Sequence, residues 1–192
     1  MRLNDGMILY HGSYMAVEQI DLEKCSDGKD FGKGFYMTEN EAQARKFIKT
    51  SLLKAKSAKQ VPEEQNFGFV SAYRFHLSKE RLNVCEFPET SKEWLWFISQ
   101  NRRKKLAGDL MSLIAPELFE AEVIIGKIAN DTTNPVLTTY LNGLYGKITS
   151  DRAINFAIEE LMPYHLDDQF CFLSQNAVDC LEFVEAKKYV VG

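Results

Sequence analysis

The chain has 192 residues, of which 45% are hydrophobic and 26% are charged, and its formal net charge is -4. This length predicts a single domain over residues 1–192, and the apolar fraction suffices for a buried core. The mild acidity gives no electrostatic signature of a DNA-binding protein, whose contact face is usually basic.

Compartment is predicted from features that the sequence lacks. Residues 1–6 are polar and contain no apolar segment of a secretory signal. No stretch approaches the roughly 20 apolar residues that a membrane helix needs. The four cysteines form no CxxC pair, which favours free, buried thiols over zinc ligands or disulfides. These features predict a cytoplasmic protein with no membrane partner.

The N-terminal half alternates apolar runs with polar, glycine-containing loops. Asn40 precedes apolar residues at helical spacing, so it is predicted to cap a helix over residues 41–56. The other predicted elements are strands over residues 7–11, 34–38, 67–77 and 82–87, and a short element over residues 17–22.

The C-terminal half mixes helices and strands. Ser91 and Ser150 are predicted to cap helices that run through residues 103 and 161. Residues 106–118 receive no assignment. The remaining predictions are strands over residues 121–128, 169–173 and 183–190, and helices over residues 134–145 and 177–181. Because strands and helices do not alternate regularly, the order favours an α+β fold over a doubly wound sheet.

The first motif that indicates chemistry is Leu9-Tyr10-His11-Gly12-Ser13. A histidine that ends an apolar strand is more often a structural hydrogen-bonding residue than a ligand-binding one. Gly12 shifts the balance toward function, because a residue without Cβ lets a ligand approach the backbone closely. Ser13 adds a hydroxyl and another backbone amide.

The second motif runs from Asp30 to Thr38 and contains Gly32-Lys33-Gly34. Its glycines lack the spacing of a phosphate-binding loop or of a dinucleotide fold, so they are predicted to shape a turn before Phe35 and Tyr36. Strand neighbours face opposite sides. If Phe35 packs inward, Tyr36 offers its flat face to the pocket that His11 lines.

Three further segments leave alternatives open. Residues 94–98 are aromatic and apolar and precede a basic run, which is typical of an amphipathic helix with a solvated basic end, or of a patch for a nucleotide phosphate or RNA. Asp131 either lines a pocket or forms an Asx turn. Gln169 matters for function if it points inward beside His11 and Tyr36.

Taken together, these pieces resemble the family known as domain of unknown function 3990, in the ADP-ribosyltransferase clan. The matching pieces are residues 10–13, 30–38, 94–102, 125–126, 129–131 and 168–172. The resemblance implies two packed antiparallel β-sheets with flanking helices around an NAD cleft. NAD would be the donor of ADP-ribose, and no metal would be needed.

The resemblance also assigns roles to residues. His11 would hydrogen-bond the adenosine ribose, the Gly12 backbone would bond the nicotinamide carboxamide, and Tyr36 would stack on the nicotinamide ring. Phe47 would be a second stacking aromatic, and Ser13 and Gly34 complete the predicted cofactor-binding set. Gln169 would be the third catalytic residue beside His11 and Tyr36, at a position where many active members have glutamate.

The function implied is transfer of ADP-ribose from NAD to a protein or nucleic-acid acceptor, as in toxin-type effectors that have an antitoxin partner. The alternatives are a weakly active or inactive module that binds NAD or ADP-ribose, and an NAD glycohydrolase. A further alternative is an interaction protein that docks a helix on residues 94–97, which would require an exposed apolar patch there.

Overall fold

A computed structural model describes residues 3–77, 81–105, 108–127, 133–161 and 168–191. Within these ranges the chain has an α+β architecture with two mostly antiparallel sheets and five α-helices, so the α+β part of the predicted fold is confirmed. The chain divides into two compact units, which are described in turn. No helix in these ranges combines the length and the apolar character needed to cross a membrane.

The first unit comprises Met1–Asp21, Tyr36–Leu82 and Gln175–Gly192. It contains a three-stranded antiparallel sheet in the order β1-β3-β7, in which His11 lies opposite Ser71. Its elements are β1 (Ile8–Ser13), α1 (Glu41–Ser57), β3 (Phe67–Phe75), α5 (Gln175–Val178) and β7 (Leu181–Val190).

Helix α1 begins where the sequence predicts. The Asn40 side chain accepts hydrogen bonds from the backbone N–H groups of Ala42 at 3.0 Å and Gln43 at 3.2 Å. These bonds satisfy two of the donors that the first turn of a helix leaves without intrahelical partners. The cap therefore fixes the start of the helix that packs on β1 and β3.

The packing of α1 on the sheet is unusually close. Ala44, Ile48 and Val70 form a small buried core between helix and sheet. A Cβ atom built on Gly12 would lie 1.8 Å from the carbonyl oxygen of Ala44. A Cβ on Gly68 would lie 2.4 Å from Ile48 Cγ2. Both glycines are therefore needed for the helix to reach the sheet.

The short element predicted over residues 17–22 is wrong, since residues 17–21 form neither helix nor strand and only Leu22–Lys24 forms a single 3-10 turn. The Val17 N–H donates to the Ser71 hydroxyl at 3.0 Å, and the Tyr73 hydroxyl donates to the Val17 carbonyl. The side chains of Ser71 and Tyr73 on β3 thus bond the backbone N–H and C=O of Val17, which a helix or strand would otherwise pair. Burial raises the pKa of the Tyr73 hydroxyl, which stays a neutral donor.

The second unit comprises Leu22–Phe35 and Asn83–Ser174. The second sheet has the order β2-β6-β5-β4. Two 3-10 segments, Gly108–Leu113 and Pro116–Phe119, occupy the region that the sequence left unassigned. The other elements of this unit are β4 (Val84–Glu86), α2 (Lys92–Arg102), β5 (Val123–Gly126), α3 (Thr133–Leu141), α4 (Asp151–Leu161) and β6 (Gln169–Phe172). Strand β2 (Phe35–Met37) begins with the last residue of the range 22–35 and continues into the range 36–82 of the first unit.

The second sheet departs from the expected all-antiparallel pairing. Strand β6 is antiparallel to β5, but β4 is parallel to β5, with Val84 opposite Val123. Parallel neighbours need a crossover connection, whereas antiparallel ones can be joined by a tight turn. The chain between β4 and β5 contains α2 and the two 3-10 segments, which provide that crossover.

Helix α2 is buried around its circumference, so the predicted amphipathic pattern is wrong, although Lys104 and Lys105 after its end are exposed, as the predicted solvated basic end requires. Ser91 caps it as predicted, accepting from the Trp94 N–H at 3.4 Å. All seven residues from 94 to 100 are buried, which is typical of a helix in the middle of a core. Trp94 Nε1 donates to the Lys127 carbonyl at 2.8 Å. The aromatic block at residues 94–97 is therefore no exposed docking patch.

The remaining predicted elements are present with shifted ends. Helix α3 ends at Leu141, four residues before the predicted end, and Gly143 follows with a φ of 73° that glycine tolerates. Ser150 accepts from the Ala153 N–H at 3.4 Å, as a cap of α4 should. Helix α5 begins at Gln175 and β7 at Leu181, each two residues earlier than predicted. Asp131 lies outside the described residues.

Candidate functional site

Strand β1 and the residues around β2 meet at one antiparallel bridge and then separate. The Tyr10 N–H donates to the Thr38 carbonyl at 2.8 Å, and the Thr38 N–H donates to the Tyr10 carbonyl at 3.0 Å. The bridge is isolated, and β1 and β2 belong to different sheets. In this register Gly12 would next pair with Tyr36. The bridge does not extend into a ladder over that pair, and we call the place formed by His11, Gly12 and Tyr36 the β1–β2 gap.

The His11 ring is held at the β1–β2 gap by the Tyr36 backbone. Its Nδ1 lies 2.8 Å from the Tyr36 carbonyl oxygen. A carbonyl only accepts hydrogen bonds, so Nδ1 carries a proton and donates it to this oxygen. The ring is half-buried. The structure thus brings together two of the three predicted catalytic residues.

The backbone of Gly12 faces the gap. Tyr10 directs its N–H and C=O to Thr38, away from β3. Backbone groups two residues apart in a strand point to the same side, so those of Gly12 also point away from β3. The missing Cβ of Gly12 is explained separately, by the approach of Ala44 on α1. The predicted role for the Gly12 backbone is compatible with this packing.

The aromatic side chains differ in exposure. Phe35 and Met37 are 5% and 1% exposed, whereas Tyr36 between them is half-buried, as strand alternation predicts. Phe47 is half-buried on α1, three residues after Ala44, which places it on the helix side nearest Gly12. Tyr36 and Phe47 are therefore both partly exposed residues of the first unit.

Two predicted cofactor-binding residues have internal packing roles. The Ser13 hydroxyl is buried and lies 3.5 Å from the Ser51 hydroxyl on α1. A Cβ on Gly34 would lie 2.6 Å from Cys171 Sγ and 2.7 Å from the Phe172 carbonyl oxygen on β6. Packing alone accounts for the residue type at Gly34. A contact of either residue with a ligand stays a prediction.

Gln169 opens β6 in the second unit. It lies opposite Gly126 on β5, and its side chain is only 6% exposed. The preceding Asp168 pairs with the Lys127 ammonium at 3.6 Å, so the two neighbours have different surroundings. The predicted position of Gln169 beside His11 and Tyr36 stays a prediction.

A polar cluster in the second unit was missed by the sequence analysis. Arg102 Nε donates to the carboxylate of Asp30, which is 2% exposed, and Asn101 Nδ2 donates to the Asp30 carbonyl at 2.9 Å. Arg102 is thus an internal partner of Asp30, which argues against an open phosphate patch at this residue. The two residues are 72 positions apart, and no local pattern in the sequence links them.

Metal ligands and thiols do not form a second centre in the described ranges. There, no three His, Cys, Asp or Glu side chains group together as a metal site. The four cysteines, which all lie in those ranges, form no disulfide, and Cys171 and Cys180 are buried as predicted.

The family model described as protein of unknown function (DUF3990) matches residues 7–183. Because the match covers most of its length, the chain belongs to this family. Comparison with curated proteins and with solved structures gave no significant match.

Proposed function

We propose that this member of the DUF3990 family is an NAD-dependent ADP-ribosyltransferase, which moves ADP-ribose from NAD to a protein or nucleic-acid acceptor. The observation that supports the proposal is the β1–β2 gap, where the His11 ring, which follows Tyr10 and precedes Gly12 on β1, is hydrogen-bonded to the Tyr36 backbone. Recognition of a dinucleotide with two sugars needs such groups: a ring nitrogen that hydrogen-bonds, a backbone donor and acceptor, and an aromatic face.

The groups at the gap fit the two ends of NAD. In the role that the family resemblance gives it, His11 hydrogen-bonds a hydroxyl of the adenosine ribose, while its Nδ1 donates to the Tyr36 carbonyl. The N–H and C=O of Gly12 complement the carboxamide of nicotinamide, whose carbonyl oxygen accepts and whose NH₂ group donates hydrogen bonds. Tyr36 and Phe47 supply flat surfaces for stacking on the nicotinamide ring.

The chain contributes orientation and electrostatics. When bound, NAD supplies the bond between nicotinamide and ribose, whose cleavage develops positive charge on the sugar. Holding both ends of the dinucleotide favours the reactive geometry. Gln169, in the role the family resemblance gives it, hydrogen-bonds a ribose hydroxyl. A neutral amide stabilises developing positive charge less than a carboxylate does, so we expect slow turnover.

A second candidate function follows from that same residue. In this alternative, the chain binds NAD or ADP-ribose without efficient transfer, because Gln169 stands where many active members of the clan have glutamate. NAD hydrolysis without an acceptor is a third outcome of the same chemistry. Action as a toxin-type effector with an antitoxin partner rests on analogy between folds.

Labelled NAD distinguishes these functions. The purified chain is incubated with NAD and whole-cell lysate, and nicotinamide release and label transfer are followed. His11→Ala and Tyr36→Ala should abolish both. His76→Ala and Tyr145→Ala are the matched controls, because His76 pairs with Glu182 on the surface and Tyr145 packs on Phe156.

Each outcome has a distinct meaning. Label on a protein or nucleic acid that is lost only in the His11 and Tyr36 variants supports the transferase. Release of nicotinamide without transfer indicates a hydrolase. Absence of release, with NAD still raising the melting temperature, indicates the binding module. Absence of both release and binding refutes the proposal.

A further inference from the structure

The residues that precede Tyr36 are held from three directions inside the second unit. Asp30 is bonded by Asn101 and Arg102, both at the C-terminal end of α2. We call these three residues the α2 clasp. The Asp30 side chain is 2% exposed and the Arg102 side chain is 19% exposed, so the ion pair is largely removed from water. A charge pair of this kind is well ordered when its hydrogen bonds are satisfied.

The next residues along the loop are also fixed. Phe31 is 2% exposed and stacks on Phe87 with ring centroids 6.1 Å apart. Gly32 adopts a φ of 94°, which side chains rarely allow, and a Cβ there would lie 3.5 Å from Asn101 Oδ1. Gly34 abuts β6 so closely that no Cβ fits. Hydrogen bonds and packing therefore hold the loop at Asp30, Phe31, Gly32 and Gly34.

Tyr36 follows this loop directly in the chain, and its carbonyl oxygen accepts the Nδ1 proton of His11. We propose that Asp30, Asn101 and Arg102 are positioning residues, which fix the Tyr36 backbone and through it the tautomer and orientation of His11. The consequence for catalysis rests on the proposed function; the consequence for the His11 ring does not.

The test uses the full-length chain and two readouts. Asn101→Leu removes the donor to the Asp30 carbonyl at similar volume, and Arg102→Met removes the charge; Arg102→Lys is the conservative variant. Nitrogen-15 NMR of the His11 imidazole, assigned with His11→Gln, reports its tautomer, and kcat and KM are measured for NAD. Leu137→Ala, at a fully buried position of α3, controls for lost stability.

We expect Asn101→Leu and Arg102→Met to change His11 from one Nδ1–H tautomer to a mixture. We expect kcat to fall roughly 10- to 100-fold, as small misplacements of catalytic groups do. Arg102→Lys should restore part of both effects, and Leu137→Ala should change neither beyond its effect on melting temperature.

The proposal is overturned if both clasp variants melt earlier, as Leu137→Ala does, yet keep the wild-type His11 tautomer. If Arg102→Met does not fold, Asn101→Leu and Arg102→Lys give the decision. A wild-type chain that neither binds nor cleaves NAD refutes the proposed function, while the NMR comparison still decides the role of the clasp.

Discussion

Gly12→Ala tests whether the glycine after His11 exists for packing or for ligand approach. The new Cβ would lie 1.8 Å from the Ala44 carbonyl oxygen and 2.7 Å from its carbonyl carbon. Ordinary contact begins near 3.4 Å, so α1 would have to recede by about 1.6 Å, the difference between 3.4 and 1.8 Å. The opposing atoms are backbone, so no side-chain rotamer relieves the clash.

The expected effect on stability is large. Overpacked sites usually lose about 1–3 kcal/mol, and retreat of α1 also loosens the buried contacts of Ala44 and Ile48. We expect a loss of about 3 kcal/mol or more, which for a chain of this size lowers the melting temperature by about 6–12 °C. Thermal unfolding followed by circular dichroism measures this shift.

Gly28→Ala is the control for backbone strain alone. Gly28 has a φ of 70°, and a Cβ added there would meet no heavy atom within 4 Å, so only strain, about 1 kcal/mol, is expected. If Gly12→Ala melts within about 2 °C of wild type, the packing argument is wrong. Loss of NAD binding in such a stable variant would then assign the glycine to ligand approach.

Three further changes have defined outcomes. Asn40→Ala removes the cap of α1 and should destabilise the chain by about 1 kcal/mol in chemical denaturation, whereas Asn40→Asp should keep most of it; equal losses would contradict the cap. Tyr73→Phe leaves the Val17 carbonyl without its donor and should lose about 1–2 kcal/mol near neutral pH. Because the folded pKa of Tyr73 lies above its ordinary value of 10.0, this contribution is complete below that pH and declines as pH rises toward the folded value. The difference in melting temperature between wild type and Tyr73→Phe should therefore be smaller at about pH 10.5 than at about pH 8. An equal difference at the two pH values would refute the donor role of the Tyr73 hydroxyl. Gln169→Glu should raise NAD turnover, and an unchanged rate with intact NAD binding would count against a place for Gln169 at the nicotinamide ribose.

Local chemistry let the sequence predict much of the fold. The caps at Asn40, Ser91 and Ser150 satisfy donors within the same turn of chain, so their positions needed no tertiary information. The strand alternation around Tyr36 was equally local, because it follows from the pleat. The sequence also indicated His11 and Tyr36 as partners, through motifs that the family match covers.

Contacts between distant residues decided the rest. Burial of α2 on all sides, the parallel pairing of β4 with β5, and the bond between Arg102 and Asp30 all join segments that the sequence separates widely. The residue type at Gly12 is explained by Ala44, more than thirty positions later, in the tertiary packing of α1. Composition and periodicity report the environment of each segment averaged over its own length. Which segment supplies that environment is set by the packing of the whole chain, and so only the tertiary structure determines it.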